Sequence, residues 1–344
     1  MTKVAVALSG GVDSAVVAAL LLEQGYEVVG LTGKMTCSDD FEQVVKNAKN
    51  VANKLGIEHY VYDAVDVFNE KVIKYFENSY ATGETPNPCI MCNKYIKWGC
   101  LFDYALNELG ADYIATGHYA NIKNEDGVYK LYPASDEHKD QLYFLFALNQ
   151  EQLSKTLFPL SGYKKEEVRQ IAEKYDLPPK SAKESQDICF IKHPMTTKKY
   201  LNNLFTSKEG NFVEKSTGKV LGKHEGFWQY TIGQRKGIGI AYPEPLYVIG
   251  IDSEKNVVYV DKQKELYSKF LKLKNIDFSY KENDLEFEAL VKIRYNMQFV
   301  KASVKKVGDE WIVEFREPVS AITKGQACVF YDIYDRHLIG GSFI

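Results

Sequence analysis

The stretch Ser9-Gly10-Gly11-Val12-Asp13-Ser14 constrains this chain more than any other, because it joins a short valine-rich run, residues 3–8, to an almost continuously apolar helical pattern over residues 12–22. Strand, glycine turn and buried helix in that order aim backbone N–H groups and a helix N-terminus at one point, and such a point attracts an anion. The two glycines permit close approach, the hydroxyls of Ser9 and Ser14 can donate to phosphate oxygens, and Asp13 can orient that shell or help hold Mg2+. No GK[ST] follows to cradle a transferable γ-phosphate, and the glycine spacing is not that of a dinucleotide site. A capped turn would explain the serines and the aspartate, but the whole hexapeptide between strand and helix is more specific than a cap requires.

Further along, strand-like runs at residues 26–31, 57–62 and 112–116 alternate with helical patterns at 40–55 and 67–76. That alternation predicts a parallel sheet covered on both faces. Past residue 178 a polar link, PPKSAKESQDICF, interrupts the pattern, and beyond residue 204 the chain turns to glycine-punctuated β runs. Residues 246–251 and 257–260 read as a hairpin. Leu285, Phe287, Ala289, Val291 and Ile293 alternate with polar residues, as a half-buried strand does. The expected fold is therefore α/β at the N-terminus and β afterwards: an ATP-binding and catalytic domain over 1–204, a small β-rich domain over 205–272 and a C-terminal β-barrel over 273–344. A chain of 344 residues exceeds what one core usually serves. Its net charge of −3 neither supports nor excludes a nucleic-acid partner. With no long apolar segment, stop-transfer pattern or cleavage site near the start, a cytoplasmic protein away from the membrane is expected.

The six cysteines are too few and too unevenly spaced for a disulfide scaffold. Cys89 and Cys92 lie in a proline-stiffened segment, TPNPCIMCNK, just before a helical pattern resumes. Asn93 reads as the helix cap, which sets Cys92 beside a positive helix end and favours its thiolate. The CxxC pair by itself fits a redox couple, half a zinc site or, with Cys189, three-cysteine ligation of a [4Fe–4S] cluster. Cys189 follows the polar ESQD approach and reads either as a pocket residue or as core. Cys100 and Cys328 read as structural, whereas Cys37, after the second strand, is evenly balanced between the nucleotide crevice and a structural role. Gly117-His118 follows a sheet strand, where ligands meet open α/β sheets. Gln234-Arg235-Lys236 combines flexible glycine flanks with cations and suits phosphate contact. Lys292, Arg294 and Tyr295 end the alternating strand and could meet RNA or simply charge a sheet edge.

SGGVDS resembles the pyrophosphate-binding loop of the superfamily that includes GMP synthetase, argininosuccinate synthetase, tRNA-lysidine synthetase and the tRNA thiolases. Members cleave ATP between its α and β phosphates and place AMP on an oxygen. Beyond that loop, TPNPCIMCNKYIKWG, TGHYA, KDQLYFL, ESQDICFI, YTIGQRKGIG and KIRY resemble, in order and spacing, the bacterial tRNA-specific 2-thiouridylases over essentially the whole chain. The resemblance implies an adenine nucleotide α-hydrolase-like domain using ATP and Mg2+, with Ser9, Gly10, Gly11, Asp13, Ser14, Met35, Gly117 and His118 at the nucleotide. It implies Cys92 as nucleophile and Cys189 as the acceptor of persulfide sulfur. Lys139, Asp140, Gln141, Gln234, Arg235, Lys236, Arg294 and Tyr295 fall to tRNA contact.

The implied reaction converts the C2 oxygen of the wobble uridine to sulfur in tRNAs for lysine, glutamate and glutamine, with a persulfide donor or relay protein as partner and a monomer as the expected state. One departure matters. Many members carry TPNPD where Cys89 stands, and that aspartate is assigned there as a general acid/base. Cys89 leaves open a persulfide route with another base, or a Cys89/Cys92/Cys189 [4Fe–4S] site. Two other classes compete with thiolation: an adenylating ligase or amidotransferase on a small molecule, which leaves the paired cysteine motifs without a purpose, and a nonenzymatic RNA-binding or redox module, which leaves the ATP loop unused.

Overall fold

The computed structural model describes residues 1–37, 39–177, 188–191, 194–280 and 285–344. The polar link at 178–187, including Ser185, Gln186 and Asp187 of the ESQDICFI motif, lies outside them.

The first sheet is built from β1 (Lys3–Ala7), β2 (Glu27–Lys34), β3 (Glu58–Asp63) and β4 (Tyr113–Ala115), followed, after a hairpin of β5 (Asn121–Glu125) and β6 (Val128–Tyr132), by β7 (Thr156–Leu157). Its order is β3-β2-β1-β4-β7 and every pairing is parallel. Helix α1 (Val12–Glu23) leaves β1, and α2 (Asp39–Leu55) joins β2 to β3. Next come α3 (Val65–Phe68), a π-helical turn Asn69–Ile73 and α4 (Lys74–Ala81). After a loop, α5 (Pro88–Cys92) runs into a π-helical stretch Asn93–Cys100 and then α6 (Leu101–Asp103). Helices α7 (Gln150–Ser154), α8 (Lys165–Lys174) and α9 (Thr197–Leu204) follow.

Period-two alternation in β1 sorts the sheet's two faces. Val4 and Val6 pack with α1, α2 and α8 through Ala15, Ala18, Val51 and Val168. Ala5 faces the other way, into a core with Phe68, Ile90, Cys92, Ile96 and Trp98. An apolar run buried on both faces is what a central parallel strand requires.

The second sheet, order β10-β11-β8-β9, comprises β8 (Gly210–Glu214), β9 (Val220–His224), β10 (Tyr247–Asp252) and β11 (Val257–Asp261). Strands β10 and β11 form the antiparallel hairpin expected from sequence, while β11 and β8 pair in parallel. The third sheet is antiparallel, order β12-β16-β15-β14-β17-β18-β13, from β12 (Tyr267–Leu273), β13 (Asp277–Phe278), β14 (Glu286–Lys292), β15 (Val300–Val307), β16 (Glu310–Ser320), β17 (Ala327–Tyr331) and β18 (Leu338–Phe343). It curls around Leu271, Val291, Val313, Phe315 and Phe330, with β12 and β13 as its two ends, so it is an open half-barrel. Because β12 belongs to it, this sheet starts before residue 273. The apolar stretch at 339–344, which the sequence left open between strand and tail, lies largely in β18.

Strand β17 is buried throughout. Cys328 and Phe330 point into the half-barrel core, whereas Ala327, Val329 and Tyr331 join the core around Cys92. One strand thus serves two cores and fixes the half-barrel to the nucleotide-binding domain.

Candidate active site

In the sheet order, β1 and β4 are the neighbours whose connections leave toward opposite edges, and ligands of open α/β sheets sit outside the C-terminal ends of such a pair. Both ends carry a motif singled out above. After β1, Ser9 and Ser14 bring their hydroxyls within 3.2 Å of each other, and the Ser14 hydroxyl donates to the Gly11 carbonyl at 3.1 Å. Gly10 has φ +73°, and a Cβ there would lie 2.7 Å from the Asn47 Cβ. Gly11 precedes α1 with extended backbone and caps it with no side chain, so the first-turn N–H groups face outward for a ligand.

After β4, Gly117 lies directly against this loop: a Cβ there would sit 2.9 Å from the Asp13 Cβ and 3.2 Å from the Ser14 nitrogen. Tyr119 donates its hydroxyl to Asp13 Oδ1 at 3.2 Å. Its backbone N–H donates to Gln141 Oε1 at 3.1 Å, which ties the KDQ segment to the same crevice. Met35, following β2, is half-buried and packs on the Cys92 core.

His118, next after Gly117, links this side of the crevice to Lys97. It is buried, with Nδ1 2.7 Å from Thr116 Oγ1 and Nε2 3.2 Å from Lys97 Nζ. An ammonium only donates, so Nε2 accepts and the ring proton sits on Nδ1. Burial first and the Lys97 charge second hold His118 well below its ordinary pKa. Lys97 belongs to the π-helical stretch that follows Cys92. Its charge acts on Cys89 and Cys92 as well, in each case favouring the thiolate.

The helix bearing the cysteines corrects one expectation. Asn87, not Asn93, is the cap: its side chain accepts from the Cys89 N–H at 3.2 Å, and Pro88 opens α5. Asn93 is buried further along the helix, with Nδ2 donating to the Phe144 carbonyl at 2.9 Å. Cys89 therefore takes the positive helix end, and Cys92 lies at the other end of α5. Burial pushes the Cys92 thiol up to about 12; Lys97 opposes the rise, and Cys189, Cys89 and Cys100 add to it. Cys89 keeps an exposed side chain, although crowding by protein still raises its thiol pKa. Such a combination is expected on the wall of an open cleft.

Cys189 is exposed, and its neighbour Phe190 anchors it edge-on against Phe68 and Phe76 at 5.9 and 5.3 Å between ring centroids. Cys189, 97 residues beyond Cys92 in sequence, thus comes near enough to act electrostatically on the Cys92 thiol, as Cys89 does. All six cysteines lie within the described residues and none is in a disulfide. Cys100 is half-buried on the helix face, Cys328 is core and Cys37 is exposed after β2. Among the described residues the three-ligand cluster within 4.8 Å is elsewhere, at Asp332, Asp335 and His337.

The residues assigned to tRNA fall in two groups. Gln141, Asp140 and Lys139 adjoin the crevice. Burial pushes the Asp140 carboxyl up to about 6 against the N–H groups of Leu142 and Ala134, which donate to it. Tyr295 comes from the half-barrel to meet them: its hydroxyl donates to the Asp140 carbonyl at 3.1 Å and its ring lies 4.5 Å from that of Phe144. The ring is half-buried and tilted by 43° against that of Phe144. The exposed Arg235 and Lys236, with Gln234 holding the turn by donating to the Lys236 carbonyl, flank a cavity of about 350 Å³ in the second sheet's domain. Arg294 approaches this region by donating to the Ser320 carbonyl at 3.3 Å, next to Ala321, which Gly233 abuts.

Two functional candidates escaped sequence reading. Lys97 carried a signal, since it follows Cys92 on the same helical run. Lys165 carried none: it lies 152 residues from Asp13, yet its Nζ sits 2.7 and 2.8 Å from the two Asp13 carboxylate oxygens.

Comparison with known proteins agrees with this geometry. Three family models match successive segments: a tRNA methyl transferase HUP domain over residues 2–193, a tRNA methyl transferase PRC-barrel domain over 198–262 and an aminomethyltransferase beta-barrel domain over 268–344. A tRNA-specific 2-thiouridylase MnmA of Clostridium acetobutylicum is 45% identical over 99% of both chains. The protein of that name from Carboxydothermus hydrogenoformans is 44% identical over 99% of this chain and 97% of its own, and that of Syntrophomonas wolfei 42% over 99% of both. Matched along its whole length and in the same domain order, this chain belongs to the tRNA-specific 2-thiouridylase MnmA family of PP-loop ATP pyrophosphatase-type enzymes.

Proposed function

We propose that this chain synthesises 2-thiouridine in tRNA, adenylating the C2 oxygen of the wobble uridine with ATP and replacing that oxygen with sulfur. The observation that carries the reading is the run of neighbours from the Ser9–Ser14 loop through Gly117 and His118 to Lys97, whose charge acts on the thiols of Cys89 and Cys92. Adenylation and sulfur transfer need one shared cleft, and this arrangement supports one. The uridine oxygen attacks the α-phosphorus, pyrophosphate leaves, and AMP becomes the leaving group on C2. Loop N–H groups at the start of α1 would stabilise charge on the departing phosphates.

Exposed Cys189 suits the carrier. A donor or relay protein loads it as a persulfide, whose terminal sulfur attacks C2 and expels AMP. Cys92 then attacks Cys189 Sγ, breaking the S–S bond to the transferred sulfur, which remains on C2 as the thiocarbonyl. The two cysteines end as a disulfide, and an external thiol reductant must reopen it. Buried and with its pKa near 12, Cys92 is protected from solvent oxidants and reacts only when its proton can leave, a step that the Lys97 charge favours. Mg2+ accompanies ATP and neutralises phosphate charge; Asp13 is not an open ligand for it, because Lys165 holds both its oxygens. The tRNAs for lysine, glutamate and glutamine are the proposed substrates, with Lys139, Asp140, Gln141, Gln234, Arg235, Lys236 and Arg294 on their side of the cleft.

A second reading is favoured by Cys89 in particular. Cys89 and Cys189 both act on Cys92, and three thiols are a donor set soft enough for a [4Fe–4S] cluster that Cys89, Cys92 and Cys189 would hold. When bound, such a cluster supplies an open iron position for sulfide. The Cys89→Ser variant separates the two routes. Purified anaerobically and given unmodified glutamate tRNA, Mg·ATP and a persulfide donor, it should keep at least half of wild-type thiouridine formation on the persulfide route, read by nucleoside mass spectrometry. Loss of activity together with loss of bound iron establishes the cluster route. No thiouridine from wild-type protein with either sulfide or persulfide, despite ATP binding, would sink both.

A further inference from the structure

In the persulfide route Cys89 is left without a role, yet it stands three residues before Cys92 in α5. Residues so spaced in an α-helix have Cα atoms about 5 Å apart, inside the range that a disulfide spans. The backbone is held at this point: Asn87 accepts from the Cys89 N–H at 3.2 Å, and Pro88, Ile90 and Cys92 are buried around it. The two thiols meet different surroundings. Cys89 is exposed, whereas Cys92 is buried, with 9% of its surface accessible. A CxxC pair with its first sulfur open to solvent and its second enclosed suits dithiol exchange, because an outside partner can reach the first and the first can reach the second. Lys97 serves both, its charge favouring the thiolate of each. Cys189 is exposed and acts on Cys92 from a different segment of the chain. Cys92 therefore has a cysteine on either side, and a disulfide on it can pass from one to the other.

We propose that Cys89 resets the sulfur carrier: its thiolate attacks Cys92 Sγ of the Cys92–Cys189 disulfide, forming a Cys89–Cys92 disulfide and expelling Cys189 as a thiolate. The inference rests on the persulfide reading of the site. One S–S bond breaks and one forms, Cys89 gives up a proton and Cys189 takes one up, so the exchange itself consumes no reductant. Cys189 can then accept another sulfur. The two electrons come afterwards from an external dithiol. One of its thiolates attacks exposed Cys89 Sγ and releases Cys92, and its second thiol resolves the mixed disulfide, leaving both cysteines reduced and the dithiol oxidised. Sulfurs held three residues apart on one helix meet at a far higher effective concentration than a dilute external thiol supplies, so the internal step comes first.

The linkage itself is the readout. Full-length protein, reduced and with bound iron quantified, is loaded by a persulfide donor and given one equivalent of unmodified glutamate tRNA with Mg·ATP. It is then quenched with acid, alkylated and mapped for disulfides by peptide mass spectrometry. Small thiols in excess open either bond, so the mapping is done without them. Wild type should carry Cys89–Cys92 in about tenfold excess or more over Cys92–Cys189, with Cys189 alkylated, and Cys89→Ser should stop at Cys92–Cys189. Wild type that makes thiouridine but keeps Cys92–Cys189 with Cys89 alkylated overturns the proposal and leaves thiolation standing. Thiouridine made by iron-loaded protein with no disulfide on Cys92 overturns it too. Mapping in a buffer of oxidised and reduced dithiothreitol, without tRNA, remains informative if Cys89→Ser does not fold. There wild type and Cys189→Ser should both form Cys89–Cys92, and its absence from both sinks the exchange pair. A wild type that forms this bond but makes no thiouridine sinks the thiolation reading, and with it the carrier to be reset, while Cys89 stands as an exchange cysteine.

Discussion

At the residue scale, chemistry depends on environments that neighbouring letters do not disclose. Cys89 and Cys92 were legible as a pair, but which of them takes the positive helix end turned on Asn87-Pro88, a cap followed by proline at the first helical position. That signal was present and outweighed by Asn93. His118 is singled out as a candidate by its place after a strand, while its protonation follows from Lys97 and Thr116. Since burial and Lys97 depress its pKa below the ordinary 6.5, the unfolded chain takes up a proton there that the folded chain refuses. Its contribution to stability is therefore complete above about pH 6.5 and is lost progressively as pH falls below that value. Urea unfolding midpoints at pH 7.5 and 5.5 should fall for wild type and fall less for His118→Gln.

At the element scale, hydrophobic periodicity located β1, α1, the β10–β11 hairpin and β14 nearly at their observed bounds, because each buries a face with its own period. Strand β17 shows the limit. Its uninterrupted apolar run reads only as buried, and the structure divides it between two cores. Tyr143 secures that arrangement: its hydroxyl donates to the Ala327 carbonyl at 2.9 Å and accepts the Ala327 N–H at 3.1 Å, with the ring fully buried. Tyr143→Phe leaves both Ala327 groups without that partner in a dry interface. It should cost about 2 kcal/mol, measured as a lowered urea midpoint with little change in slope. A change below about 0.5 kcal/mol would mean that the strand is held by packing alone.

At the scale of the whole molecule, the half-barrel and the second sheet converge on the loop that leads to the cysteines. Thr85 donates its N–H to the Lys324 carbonyl at 2.9 Å, its carbonyl accepts from Gln326 Nε2 at 2.8 Å, and its hydroxyl lies 3.5 Å from that of Thr231. Asp140 sits at a second junction, facing the charges of Lys292 and Arg336 with its carboxyl raised by burial to about 6. Raised above its unfolded value near 3.8, this group favours folding most at low pH, and the contribution is lost as pH rises through about 6. It amounts to about 3 kcal/mol. Between pH 4.5 and 7 it should offset part of the acid loss due to His118, so Asp140→Asn should steepen the overall rise of stability with pH in denaturant titrations; an unchanged profile would refute the assignment. No helix among the described residues is long and apolar enough to cross a membrane. The amino-acid sequence by itself determined the glycine loop between strand and helix, the alternating α/β domain and the β-rich remainder, and it singled out the cysteine motifs, because turn chemistry, periodicity and thiol spacing are local properties. Only the tertiary structure decided that Lys165 answers Asp13, that the Lys97 charge acts on both His118 and the thiols, and that the Tyr295 ring packs against Phe144. Each of these is a contact between segments distant in the chain or a matter of side-chain direction, fixed by how the sheets and helices close on one another.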